Sequence, residues 1–255
     1  MFLCRLHLLA ILLLYVLISY MPSLAAARPA PETTPPPPPQ HYGGGEVILD
    51  PPHWVWPEGQ PKVMTYALSH NSTTIASIPR HAVLATLRSA FATWAEAIPI
   101  KFIEISDDDD ADADIKVGFY SGEHGDRAQF DGPRHILAHA SVIGAIHFDA
   151  TEHWTVDLAR EKRSAKNVFD LETVATHEIG HVLGLGHSPL RRSVMYALIG
   201  ERERKVRLNI DDIQGVQELY GVNPSFDWGV YYKKDVESSP GSSFWGLGLA
   251  CFLLL

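Results

Sequence analysis

Three histidines, at 177, 181 and 187, constrain this chain more tightly than any other feature. The stretch Thr176-His177-Glu178-Ile179-Gly180-His181-Val182-Leu183-Gly184-Leu185-Gly186-His187 reads H-E-x-x-H-x-x-G-x-x-H, a zinc-binding and water-activating arrangement. His177 and His181 are one helical turn apart, so their imidazoles can aim at one point. Gly184 can adopt the left-handed conformation that ends a helix, and His187 then approaches the same point from outside it. Three neutral nitrogens leave one zinc position open for water. Zinc lowers the pKa of such a water to roughly 7, and Glu178 stands next to the ligands to take its proton.

The chain of 255 residues has room for one ordinary domain plus appendages, and its 46 % hydrophobic content suffices for a core. A net charge of −9 argues against a nucleic-acid partner and suits calcium better than phosphate. The two cysteines, Cys4 and Cys251, both lie in apolar end segments expected to be removed. The folded part is then expected to hold no thiol, although other features point to secretion.

Residues 1–27 read as a secretory signal: Arg5 and His7 precede an apolar run from Leu8 to Ile18, and Ala25-Ala26-Ala27 suits a signal peptidase. An uncleaved anchor is the alternative, for which the run is short. Residues 28–52 form a Pro/Gly-rich linker, with Pro35 to Pro39 extended and Gly43-Gly44-Gly45 flexible. The globular domain is placed at 53–221, a polar tail at 222–243 and an apolar C-terminal segment at 244–255. That last segment is short for a membrane span, and with Ser238, Ser239, Gly241 and Ser242 before it resembles a GPI-attachment signal.

Within the domain, 63–68, 100–105 and 114–120 read as strands. Pro79 opens a helix to Ala97 whose Val83, Leu84, Leu87, Phe91 and Trp94 form a core stripe. The zinc helix is expected over 169–184, and a final helix over 210–221 with Asp211 as cap and Gly221 as terminator. Asp107 to Asp110 read as a solvated loop, and Asn71-Ser72-Thr73 as a glycosylation sequon.

Residues 121–152 contain His124, Asp126, His139 and His147, three histidines and an aspartate of the kind that closes a structural zinc site. The hard oxygens of Asp131, Asp149 and Glu152, with Gly132 in a tight turn, suit calcium. On spacing alone His135 and His153 are equal candidates to His139. Met195, in Ser193-Val194-Met195-Tyr196, reads either as core or as an apolar floor beneath the metal.

Together these residues resemble a matrixin, the matrix-metalloproteinase family of the metzincin clan, and the short form is similar to the plant members. The resemblance covers about residues 53–221. Ser188 directly after the third histidine is the matrixin choice, Ser193 to Tyr196 match the Met-turn, and His124 to Trp154 match the structural-metal segment. The resemblance implies an α/β (α+β) zincin-like fold, a twisted five-stranded mixed sheet with one antiparallel edge strand and three helices. It implies His177, His181 and His187 as catalytic zinc ligands, Glu178 as base and acid, and His124, Asp126, His139 and His147 on a structural zinc. For calcium it implies Asp131, Asp149, Glu152 and the carbonyls of Gly132, Arg134 and Ile136. An extended peptide would pair with the edge strand near Leu137 to Ala140.

The implied protein is a monomeric zinc endopeptidase, secreted or GPI-anchored at the outer face of the plasma membrane, acting on matrix or cell-wall proteins. The alternative is a non-catalytic, zinc-stabilised surface protein that binds peptides or matrix. The sequence departs from the family in four places. The loop between His139 and His147 is short and lacks a glycine-rich stretch. Asp114 matches one ligand of a further calcium whose other ligands are missing. Ala197 stands where the family usually has proline after the Met-turn, which bears on the wall of the S1′ pocket. The interval from Ala27 to His53 is short for a latency pro-segment and holds no cysteine. Either an exon is missing, or the product is released active; the expectation is that no activating cleavage is needed.

Overall fold

A parallel sheet needs a crossover between neighbouring strands, and the element order supplies it. The computed structural model describes residues 54–232 apart from positions 74, 76, 127 and 142. The expected signal segment, the linker and the GPI-like C-terminus lie outside the described residues. Strand β1 (Lys62–Leu68) leads through helix α1 (Arg80–Ala97) into β2 (Ile100–Glu104), which lies parallel to β1. The chain then returns through residues 105–114 to β3 (Ile115–Tyr120), parallel to β1 on its other side. After a long loop come β4 (Ala138–Ser141) and β5 (Ala145–Asp149), the latter parallel to β3. The five strands lie in the order β2-β1-β3-β5-β4, and β4 is antiparallel to β5 at the edge. With α2 (Leu171–Val182) and α3 (Ile210–Tyr220), this is the mixed sheet and three α-helices that the resemblance implies.

The turn from β4 to β5 is tight: Gly144 has φ +90°, and a Cβ there would overlap the Asp114 carbonyl oxygen. In the sheet β4 pairs with β5 alone, so its outer edge offers unpaired backbone groups. The core stripe of α1 is buried at Val83, Leu87, Phe91 and Trp94, while Leu84 is only partly covered. Phe91 stacks on Tyr66 of β1 at 4.0 Å between ring centroids. The fully buried Trp94 donates from Nε1 to the Thr176 carbonyl at 2.8 Å and so joins α1 to α2.

The structure corrects several local expectations. Helix α2 covers 171–182 rather than 169–184, because Asp170 caps it. The Asp170 carboxylate accepts from Thr173 N at 2.9 Å and from Thr173 Oγ1 at 2.7 Å, so the preceding residues are extended. They form β7 (Val168–Asp170), parallel to β6 (His153–Thr155). Helix α3 is capped by Asn209 rather than Asp211, in a capping box with Asp212. The expected loop at 107–110 is a 3-10 helix over Asp107–Asp112. Its Asp110 is buried, accepting from Ser69 Oγ at 2.8 Å and His70 N at 3.1 Å. Residues placed in the polar tail pack on the body: Asn223 N donates to the Ala97 carbonyl at 3.0 Å, and Phe226, Trp228 and Tyr231 lie against the core. Among the described residues no helix is long and apolar enough to cross a membrane.

Asp170 also receives both Arg204 Nη1 contacts, at 2.9 and 3.1 Å, and is only 1 % exposed. Asp170→Ala therefore removes a cap and a buried charge partner together. We expect it to lower stability by about 2 kcal/mol, read from the urea midpoint at constant slope; a change under about 0.5 kcal/mol would show that the cap contributes little.

Candidate active site

Helix α2 stacks His177 and His181, and the turn after it delivers His187. Leu183 and Gly184 close the helix, with Gly184 at φ +92° and Leu185 N donating to the Gly180 carbonyl at 2.9 Å. The three rings then converge: His181 Nε2 lies 3.1 Å from His177 Nε2 and 3.2 Å from His187 Nε2. Ligands at about 2.0–2.1 Å from a tetrahedral zinc stand about 3.3 Å apart, which is close to these separations. The other ring nitrogens set the tautomers. His177 Nδ1 meets the Val194 carbonyl at 2.7 Å and His181 Nδ1 meets the Leu185 carbonyl at 2.8 Å. A carbonyl only accepts, so each Nδ1 carries the proton and each Nε2 presents a lone pair. Burial, with His181 nearby, pushes His177 down to about 3, and burial lowers His181 and His187 as well. All three rings are thus held in the neutral form that metal ligation needs.

Glu178 lines the cleft beside these rings and is 5 % exposed. Burial pushes its carboxyl up to about 8, and its Oε2 has no hydrogen-bond partner among the described residues. Such a group needs a proton or a nearby cation, and a dication held by the imidazoles would favour the carboxylate.

Met195 forms a floor under α2 at Gly180. A Cβ on Gly180 would overlap Met195 Sδ and come within 2.9 Å of Trp94 Cζ2, so glycine alone lets the helix approach this floor. The turn carrying Met195 is clamped by Asp212, a residue the sequence reading passed over. Its carboxylate accepts from Ser193 Oγ, from Val194 N at 2.9 Å, from Met195 N at 3.1 Å and from Asn209 N at 2.7 Å. Burial pushes Asp212 up, and these donors oppose that. The signal was the N-x-x-D spacing of Asn209 and Asp212, which marks a capping box. The Met195 carbonyl accepts from Ser188 N at 2.7 Å, tying the residue after His187 to the same turn.

A second set of donors gathers on β4, β5 and the loop before them. Asp126 Oδ2 lies 3.1, 2.8 and 2.9 Å from His124 Nε2, His139 Nε2 and His147 Nδ1. The ring nitrogens lie 3.1, 3.2 and 3.4 Å from one another. Burial would raise Asp126, but the bonds from His139, Ala128 N and His147 outweigh it and hold it well below the usual carboxylate range. Three ring nitrogens and a carboxylate at these separations fit a closed tetrahedral zinc. His135 and His153 stand elsewhere, the first against Asp131 at 2.9 Å and the second against Glu161 at 3.5 Å.

The residues expected around calcium come together only in part. Asp131 turns its carboxylate to His135 Nδ1 and to Ile136 N at 3.3 Å, on the turn where Gly132 and Arg134 have positive φ. Asp149 and Glu152 are buried, and Asp149 Oδ2 and Glu152 Oε2 have no hydrogen-bond partner among the described residues. Burial raises Glu152, with Asp149 and Asp131 adding to that. Two orphaned carboxylate oxygens fit a hard cation. Asp114 serves the sheet instead, its Oδ2 accepting from Thr65 N at 2.7 Å and Thr65 Oγ1 at 2.8 Å.

The cleft has a volume of about 820 Å³ and runs between residues 134–140, which include the start of β4, and residues 197–201, with the three histidines and Glu178 lining it. Ala197 is part of that lining.

Comparison with known proteins agrees with this geometry. Metalloendoproteinase 4-MMP of Arabidopsis thaliana is 46 % identical over 173 residues, covering 67 % of this chain and 49 % of that protein. Metalloendoproteinase 1-MMP of the same plant is 44 % identical over 178 residues, covering 68 % and 48 %. Matrilysin of Rattus norvegicus is 38 % identical over 171 residues, covering 65 % and 59 %. The chain thus spans about half the length of the plant relatives it matches. Matrixins use catalytic and structural zinc and calcium, and both histidine groups here are able to hold a metal. The matrixin family profile matches residues 55–221, most of the chain, and the chain belongs to that family.

Proposed function

We propose that this protein is a zinc endopeptidase that hydrolyses peptide bonds in extracellular matrix or cell-wall proteins. The observation that carries this reading is the buried Glu178 carboxyl in a cleft lined by three imidazoles, with the open edge of β4 alongside. In it, His177, His181 and His187 hold the catalytic zinc, and His124, Asp126, His139 and His147 hold the structural one. Asp131, Asp149, Glu152 and the carbonyls of Gly132, Arg134 and Ile136 hold calcium. When bound, the catalytic zinc acidifies a water to a pKa of roughly 7 and polarises a carbonyl oxygen. An extended peptide adds to β4 by backbone hydrogen bonds, which sets its direction through the cleft. Glu178 takes the proton of the attacking water and returns it to the leaving amine nitrogen. Secretion, and attachment to a GPI anchor near Ser238, complete the reading; phosphatidylinositol-specific phospholipase C should then release the protein from cells. Asn71, exposed on the turn after β1, is the glycosylation site in this reading.

Hydrolysis of a quenched fluorescent peptide is expected with zinc and lost with a chelator. Glu178→Ala should retain the fold and zinc while turnover falls by about 10²–10⁴-fold; undiminished hydrolysis by that variant would remove Glu178 from the mechanism, and a wild-type protein that binds peptide without cleaving it would favour a binding role.

Asp212→Asn keeps the size of the side chain but leaves one oxygen to serve donors that now share two. We expect a stability loss of about 2–3 kcal/mol and a zinc affinity weaker by about 10–100-fold, measured by chelator competition. Wild-type affinity in that variant would show that His177 is oriented without help from the turn.

A further inference from the structure

The segment after Met195 forms one wall of the cleft, where Ala197, Leu198, Ile199 and Glu201 contribute. Only Glu201 among these four is charged. The other charges of the segment are already engaged. Glu203 accepts from Gly200 N at 2.7 Å and pairs with Lys205 at 3.3 Å. Arg204 grips Asp170 at 2.9 Å and Glu172 at 2.6 Å. Arg202 directs its guanidinium to the carbonyls of Leu158, Glu161, Lys162 and Ala165. Glu201 accepts from Asn167 N at 2.8 Å through Oε2, and among the described residues it has no cationic partner. Arg134 and His135 also line the cleft; neither pairs with Glu201, and His135 is held by Asp131 at 2.9 Å.

The Asn167 bond fixes the carboxylate on the wall. The next residue along, Arg202, donates its backbone N–H to the Val168 carbonyl at 2.8 Å, so two successive residues of this segment are tied to two successive residues before α2. A carboxylate can accept about four hydrogen bonds, so capacity remains for a ligand. Anchored this way, it needs little reordering to meet one.

We infer that Glu201 is a specificity-determining residue that selects peptides carrying a lysine or arginine side chain along this wall. The inference rests on the endopeptidase reading for its substrate class. The methylene stem lies over Leu198, which is 70 % exposed, and over Ile199, and the cation meets Glu201. An aspartate or glutamate at the same substrate position is repelled.

The test uses the full-length protein with zinc supplied, and quenched peptide pairs that differ only in lysine against norleucine at each position flanking the bond in turn. At one position kcat/KM should favour lysine by about fivefold, and the ratio should shrink as salt rises. Glu201→Gln, which keeps an acceptor for Asn167 N, should bring that ratio to about one. Glu201→Lys should turn the preference towards a glutamate peptide. No lysine preference at any position, or one that survives Glu201→Gln, overturns the inference. The same pairs are titrated calorimetrically into Glu178→Ala, with and without Glu201→Gln. Lysine-selective binding that depends on Glu201 without any turnover by the wild type would uphold the inference and sink the endopeptidase reading. Equal binding of both peptides overturns the inference whatever the turnover.

Discussion

The hydrogen bond from His177 Nδ1 to the Val194 carbonyl, at 2.7 Å, is the contact on which the rest of the site depends. It decides which nitrogen of His177 is free to ligate, and it aims the ring. The carbonyl is only as well placed as the turn that bears it, and that turn hangs on Asp212. A buried carboxylate on α3 thus reaches the ring on α2 through Ser193, Val194 and Met195. Burying such a charge is costly unless every lone pair finds a donor, and here the donors are the Ser193 hydroxyl and backbone N–H groups of the turn and of the helix cap. Those bonds offset the cost and hold the Val194 carbonyl against His177 Nδ1.

The other end of α2 is held by a different set of contacts. Trp94 ties Thr176 to α1, Asp170 caps the first turn, and Arg204 grips Asp170 and Glu172 from the 200–205 segment. A helix carrying two imidazoles and a carboxylate must not slide, because metal geometry tolerates displacements of only a few tenths of an ångström. Pinning from α1, from the Met195 turn and from the 200–205 segment restrains it along its length. Gly180 completes this: the closeness of helix and floor leaves no room for a Cβ.

Much of this was legible in the sequence because it is local. The spacing of His177, Glu178, His181, Gly184 and His187 encodes a helix, a left-handed turn and a return, and the structure brings the three rings together. The amphipathic stripe of α1 and the alternation in β1, β2 and β3 are likewise short-range patterns. What escaped depends on contacts distant in sequence. Nothing near Asp110 says that Ser69 and His70 will bury it, and a run of four aspartates reads as solvated on charge alone. The strand β7 hides inside a segment with helical spacing, and only the Asp170 cap and the pairing with β6 separate it from α2. Choosing His139 over His135 and His153 for the second metal set required the sheet, because register places His139 opposite His147 across β4 and β5.

The same stretch of chain supports His177 and lines the cleft. Residues 193–195 support the rings, and residues 197–201, a few positions on, form the wall of the cleft. Fixing the first therefore constrains the second. Arg202 and Arg204 carry that constraint onward, because both are spent on carbonyls and carboxylates of the segment leading into α2 and of α2 itself. Neither guanidinium is then available to neutralise the carboxylate beside them, which leaves Glu201, among the described residues, without a cation in a wall otherwise lined by Ala197, Leu198 and Ile199.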